Sequence, residues 1–137
     1  MRTGATELLQ RMQEETGVDS MAGGWWPDLI MATSLLSLGD LLAQLPPSMR
    51  TIPCMLYMHE NQVAYPFRTE YGAGGERDLQ YPVTNLMSVL AADRVLWNSQ
   101  WNLDSFCGGI GAVLSKSRDG SMVDVEQQIR RKSSVVW

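Results

Sequence analysis

The chain has 137 residues, the size of one ordinary domain, with 45% hydrophobic and 19% charged side chains. That balance excludes a wholly disordered chain, a collagen and a simple coiled coil, and no apolar run approaches the roughly 20 residues of a membrane-spanning helix. Eleven Lys and Arg against fifteen Asp and Glu leave a net charge of −4, so binding nucleic acid by bulk positive charge is excluded and any such role needs a local patch.

In chain order, the opening segment has no apolar signal-peptide core behind Arg2. Thr3 is placed to cap a first helix, with Leu8, Leu9 and Met12 on one face, ending near Gly17. After Gly23-Gly24-Trp25-Trp26-Pro27, the run Asp28 to Thr33 reads as a buried strand. Ser34 is expected to cap the next helix, where Leu35, Leu38, Leu41, Leu42 and Leu45 recur at helical spacing until Pro46-Pro47 stop it. Ile52 to Met58 is nearly continuous in apolar residues, as for a strand covered on both faces, with Pro53 near its start. Two cysteines, Cys54 and Cys107, lie in apolar or helical surroundings and read as reduced, buried thiols. The expectation is a cytoplasmic protein.

His59-Glu60-Asn61-Gln62 then puts four polar side chains at a strand's end. A segment rich in Tyr, Pro and Gly runs on to Arg77 without periodicity, the kind of long connection that is usually functional. Asp78 can cap a helix through Ala92, striped with Val83, Leu86, Met87 and Leu90. Arg94 to Trp97 is a short strand, and Ser99 can cap a helix to about Leu114. A polar loop from Lys116 to Ser121, a short helix over Val123 to Arg130 and a strand beginning at Val135 complete the chain.

This alternation predicts an α/β fold, with a parallel sheet built from right-handed βαβ crossovers and helices on both faces. Such sheets bind ligands at the carboxyl ends of their strands. Thr33-Ser34, His59 to Gln62 and Asn98-Ser99 all fall at those ends. Three polar strand ends at one edge read as a site, although capping alone also explains Ser34 and Ser99. Familiar signatures fail. His59-Glu60-Asn61-Gln62-Val63 lacks the second histidine of a zinc-protease helix, and no other histidine exists in the chain. The glycines at 72, 74 and 75 and at 108, 109 and 111 make neither a dinucleotide fingerprint nor a P-loop. The second set reads as close helix packing or fraying. His59 can donate to or accept from a ligand oxygen, Glu60 can orient the ring or bind a hydroxyl, and Asn61 and Gln62 suit polyhydroxyl ligands. Glu60 can equally pair with Arg68 or Arg77. The tyrosines and nearby tryptophans offer flat faces on which sugars and bases stack, though most such aromatics serve packing.

The stretch Leu56 to Pro66 with its His-Glu-Asn-Gln core, then Glu76-Arg77-Asp78-Leu79-Gln80-Tyr81, Asn85, Ala91-Ala92-Asp93, Trp97-Asn98-Ser99, Asn102 and Ser105-Phe106 resembles the tRNA-queuosine α-mannosyltransferase family. Pro27 to Ser34 is similar to the family's preceding strand and helix start. The likeness is specific over residues 26–106 and only one of pattern elsewhere. It implies GT-B architecture, two Rossmann-like domains across a cleft, of which this chain resembles the later part of the N-terminal, acceptor-side domain. The whole of 1–137 is then expected to be a single truncated Rossmann-like unit. Its first strand would precede Met1 and its donor domain would follow Trp137.

The resemblance implies retaining transfer of mannose from GDP-mannose to queuosine in a tRNA anticodon, with no cofactor. His59 and Glu60 would be the catalytic pair. Asn61, Gln62, Asn98 and Ser99 would bind substrate, and Arg68 and Arg77 would contact phosphate. Two alternatives are a non-catalytic interaction or regulatory domain that keeps the fold, and a glycosyltransferase piece for a glycan or lipid acceptor.

Overall fold

The structure is a computed structural model that describes residues 3–16, 27–64, 80–114 and 124–136. Four strands, β1 (Ile30–Thr33), β2 (Cys54–Met58), β3 (Arg94–Trp97) and β4 (Ser133–Val135), form one sheet in the order β1-β2-β3-β4. Every neighbouring pair is parallel, with Ala32 opposite Leu56, Leu56 opposite Val95 and Val95 opposite Ser133. The helices are α1 (Thr3–Thr16), α2 (Leu38–Gln44), α3 (Gln80–Ala91), α4 (Gln100–Leu114) and α5 (Val125–Arg131). The α/β parallel-sheet architecture expected from the sequence is the one observed.

Each connection steps one strand along, and right-handed crossovers of that kind place their helices on the same face of the sheet. Burial agrees. Ala32, Cys54, Leu56, Met58, Val95 and Trp97 point to the covered face and are at most 4% exposed. The opposite face carries Met31, 61% exposed, with Met55, Tyr57 and Leu96 half-buried. Within the described residues, the covering expected on both faces is therefore realised on one. Within the apolar run from 52 to 58, Pro53 is exposed and Cys54–Met58 alternates between buried and half-buried positions. Leu29, expected in the core, precedes β1 and is 45% exposed.

The core follows helical spacing. In α4, Leu103, Phe106, Cys107, Ile110 and Val113 face inward, and Phe106 tilts against Trp97 with ring centroids 5.1 Å apart. Burying a side chain of this size contributes about 1.5–3 kcal/mol. In α1 the inward face is Ala5, Leu9 and Met12, leaving Leu8 39% exposed, and the helix packs on α2, where Thr6 Oγ1 donates to Gln44 Oε1 at 3.1 Å. The start of β2 is tied to the turn before β3. Asp93 Oδ2 accepts from Cys54 N at 2.7 Å, and Asp93 N donates to Cys54 O at 2.9 Å. Lys132 reaches the end of α3, its Nζ donating to Leu90 O at 2.7 Å and Ala92 O at 2.6 Å, while burial pulls its amine below the ordinary lysine value. Cys54 and Cys107 are free and buried, and burial is the main cause that pushes both thiols up. No helix among the described residues is long and apolar enough to cross a membrane.

Candidate active site at the carboxyl edge of the sheet

Because all four strands run the same way, the segments after β1, β2 and β3 meet at one edge, and hydrogen bonds sew them together. Ser34 is the first stitch. Its N–H donates to Tyr57 O at 3.0 Å. Its Oγ accepts from Glu60 N at 3.2 Å and lies 3.2 Å from His59 Nδ1. The expectation that Ser34 caps α2 is corrected. Residues 34–36 make a turn closed by Leu36 N donating to Thr33 O at 3.0 Å, and Ser37 caps the helix by accepting from Asp40 N at 3.4 Å. Asn85, from the buried side of α3, completes the seam: its Nδ2 donates to Ser34 O and its Oδ1 accepts from Gln62 N, each at 3.1 Å.

His59 is thereby held on both ends. The Ser34 contact occupies Nδ1, Asn98 Nδ2 donates to the His59 carbonyl at 3.2 Å, and the ring stacks near Tyr57 with centroids 5.8 Å apart and planes 20° apart. Two residues apart on an extended chain, Tyr57 and His59 share a face. Among the described residues no group takes Nε2, which leaves that nitrogen for a ligand atom.

The loop after β3 joins the same edge. Asn98 N donates to Met58 O at 3.3 Å, Asn102 Nδ2 donates to Met58 O at 3.0 Å, and Asn102 Nδ2 also reaches Asn98 Oδ1 at 2.7 Å. Ser99 caps α4 as expected, its Oγ accepting from Asn102 N at 3.1 Å. Asn61 is 6% exposed and its amide is spent inside the fold. Its Nδ2 donates to Asn102 O at 3.3 Å and Ser105 Oγ at 3.0 Å, and its Oδ1 accepts from Val63 N at 3.0 Å and Ala64 N at 3.1 Å. Gln62 Nε2 reaches Glu60 Oε2 at 3.4 Å. Gly109 lets this loop lie on α4, since a Cβ there would run into the Val63 side chain. The glycine-rich stretch of α4 is thus close packing at position 109.

Together these segments enclose a cleft of about 320 Å³ lined by His59, Glu60, Asn61, Ala64, Asn98, Ser99, Trp101 and Asn102. Sequence reasoning brings five of its residues here: His59, Glu60, Asn61, Asn98 and Ser99. Gln62 sits beside Glu60 without lining the cleft, and Arg68 and Arg77 lie outside the described residues. Trp101 is not among the expected site residues, and Ala64 and Asn102 enter the sequence reading only through the family resemblance. Trp101 had one usable signal, an aromatic in the first turn of the helix that follows a polar strand end. The cleft suits hydroxyl recognition, because the His59 imidazole, the Glu60 carboxyl group and the Asn98 amide line it. Among the described residues, no three His, Cys, Asp or Glu side chains come together to hold a metal ion.

The family described as tRNA-queuosine alpha-mannosyltransferase N-terminal matches residues 1–137. A relative from Drosophila melanogaster, a tRNA-queuosine alpha-mannosyltransferase, is 36% identical over 109 residues, covering 80% of this chain. The match spans 28% of that relative's length. No solved structure matches the chain.

Proposed function

The chain belongs to the tRNA-queuosine alpha-mannosyltransferase N-terminal family, and on that premise we propose that it forms the acceptor side of a retaining glycosyltransferase that moves mannose from GDP-mannose to queuosine in a tRNA anticodon. The observation that carries this reading is the fixed His59. Ser34 holds Nδ1 at 3.2 Å and leaves Nε2 without a described partner in a cleft lined by hydroxyl-binding groups. In the reaction His59 Nε2 meets a hydroxyl of the transferred sugar as charge develops, and Glu60 binds or orients the acceptor hydroxyl. A rigidly placed group of this kind stabilises the transition state more than the bound substrate.

Asn61 and Asn102 hold the edge in shape through their internal hydrogen bonds, and in this reading Asn98 and Ser99, which line the cleft, are the residues that meet substrate. Arg68 and Arg77 remain phosphate contacts for tRNA in this reading, a task suited to guanidinium groups. The donor's diphosphate is bound by a partner domain of the kind that the longer relative has room for. No cofactor is required, and the tRNA acceptor implies work in the cytoplasm.

The test is transfer of radiolabelled mannose from GDP-mannose to queuosine-containing tRNA. A full-length relative carrying these residues transfers it, and purified residues 1–137 alone do not, for want of the groups that stabilise the departing diphosphate. Turnover by 1–137 alone, or no transfer by the full-length protein, would contradict the reading.

A further inference from the structure

The hydrogen bonds at the cleft leave Trp101 unexplained. It sits in the first turn of α4 and is 71% exposed, yet lines the same cleft as His59 and Glu60. Trp97, on the neighbouring strand, shows what this fold does with a structural indole. It is fully buried, its Nε1 donates to Ser133 Oγ at 2.8 Å, and its ring rests on Phe106. An indole is the largest apolar face among the side chains, and an exposed one beside a polar cleft offers a platform for a flat ring. The lining also discriminates by charge. Among the described residues no Lys or Arg side chain lines the cleft, and Glu60 does, so a neutral ring bearing hydroxyls suits it better than a diphosphate. A volume of about 320 Å³ is at the small end for ligand sites, enough for a base and its substituent.

We propose that Trp101 is the stacking floor for the acceptor nucleobase, holding the base face-on so that its glycosylated hydroxyl lies over His59 and Glu60. This rests on the acceptor-side reading above. Every base presents a π-face, so an indole grips it without reading its edge, and the hydrogen-bonding groups opposite supply the discrimination. Trp101 therefore contributes to tRNA affinity and leaves the chemical step to His59.

The experiment measures steady-state transfer from GDP-mannose to queuosine-containing tRNA in a full-length relative carrying these residues, comparing Trp101→Ala, Trp101→Phe and Trp101→Leu. Trp101→Ala should raise KM for tRNA about 5- to 150-fold, the range of one base–aromatic stack, with kcat and KM for GDP-mannose unchanged. Trp101→Phe should restore most of the affinity, and Trp101→Leu, equally apolar but without a π-face, should not. Because the side chain is exposed, all three variants should keep the parent melting temperature. Unchanged KM for tRNA overturns the inference, as does a rise in KM for GDP-mannose, which would put Trp101 on the donor. Equal rescue by Leu overturns stacking in favour of simple apolar contact. An unsubstituted protein that leaves queuosine-containing tRNA unmodified instead overturns the acceptor-side reading.

Discussion

One hydroxyl, Ser34 Oγ, lies 3.2 Å from His59 Nδ1 and accepts the backbone N–H of Glu60 at the same distance of 3.2 Å. The end of β1 thus sets the orientation of two residues that belong to the end of β2. Ser34 is itself 6% exposed and anchored through its own N–H and carbonyl, so the hydroxyl has little freedom to wander.

Ser34→Ala removes that hydroxyl and frees the imidazole. In a full-length relative carrying these residues, kcat should fall about 10-fold, the worth of about 1.4 kcal/mol. KM for tRNA should hold, because the ring's position matters most as the transition state forms. Equal loss in kcat and tRNA affinity would make Ser34 a plain structural residue.

Gly109 and its neighbours give a contrast within one helix. A Cβ at 109 collides with the Val63 side chain, whereas at 108 and 111 it meets nothing within 4 Å. Gly109→Ala should destabilise the chain by about 1–3 kcal/mol, as overpacking does, and should displace the turn after His59. Gly108→Ala and Gly111→Ala should be stabilising by up to about 1 kcal/mol through helix propensity. Thermal melting of the three variants checks the order.

The buried thiols tie stability to alkaline pH. Burial raises Cys54 and Cys107 above the ordinary thiol value, so the unfolded chain loses these protons first. Their contribution is fully present below about pH 8.5 and is lost as pH rises through the folded values. Lys132 acts in the opposite sense: its lowered amine makes its contribution rise with pH. The comparison that isolates a thiol is therefore Cys107→Ala against the unsubstituted chain. The gap in their melting temperatures should narrow from pH 8 to pH 10, and a gap that widens would refute the linkage.

Much of this edge is legible in the residues. Polar tetrad 59–62 after an apolar run, and Asn98-Ser99 after Arg94 to Trp97, put polar groups at one edge because parallel strands all end on the same side. The start of α4 follows from the Ser99 cap and its inward face from periodicity. Ser34 carries the ordinary cap signal, serine before a leucine repeat, and only tertiary contact with His59 distinguishes it from Ser37. Asn61 looks like a ligand amide in sequence, yet four internal hydrogen bonds occupy it, and no local pattern reveals partners such as Asn102 and Ser105 so far along the chain. The apolar run 52–58 overstated burial because an apolar strand reads the same whether one face or two are covered, and here Met55 and Tyr57 stay half-buried.

If His59 works on the sugar rather than on the fold, single-turnover transfer by His59→Ala in a full-length relative carrying these residues will show it. At saturating tRNA and GDP-mannose the rate should fall about 30- to 1000-fold, equivalent to about 2–4 kcal/mol of lost transition-state stabilisation, while tRNA affinity changes little. A His59→Ala protein that transfers mannose at the parent rate would make the histidine structural and would move the chemistry toward Asn98 and Ser99.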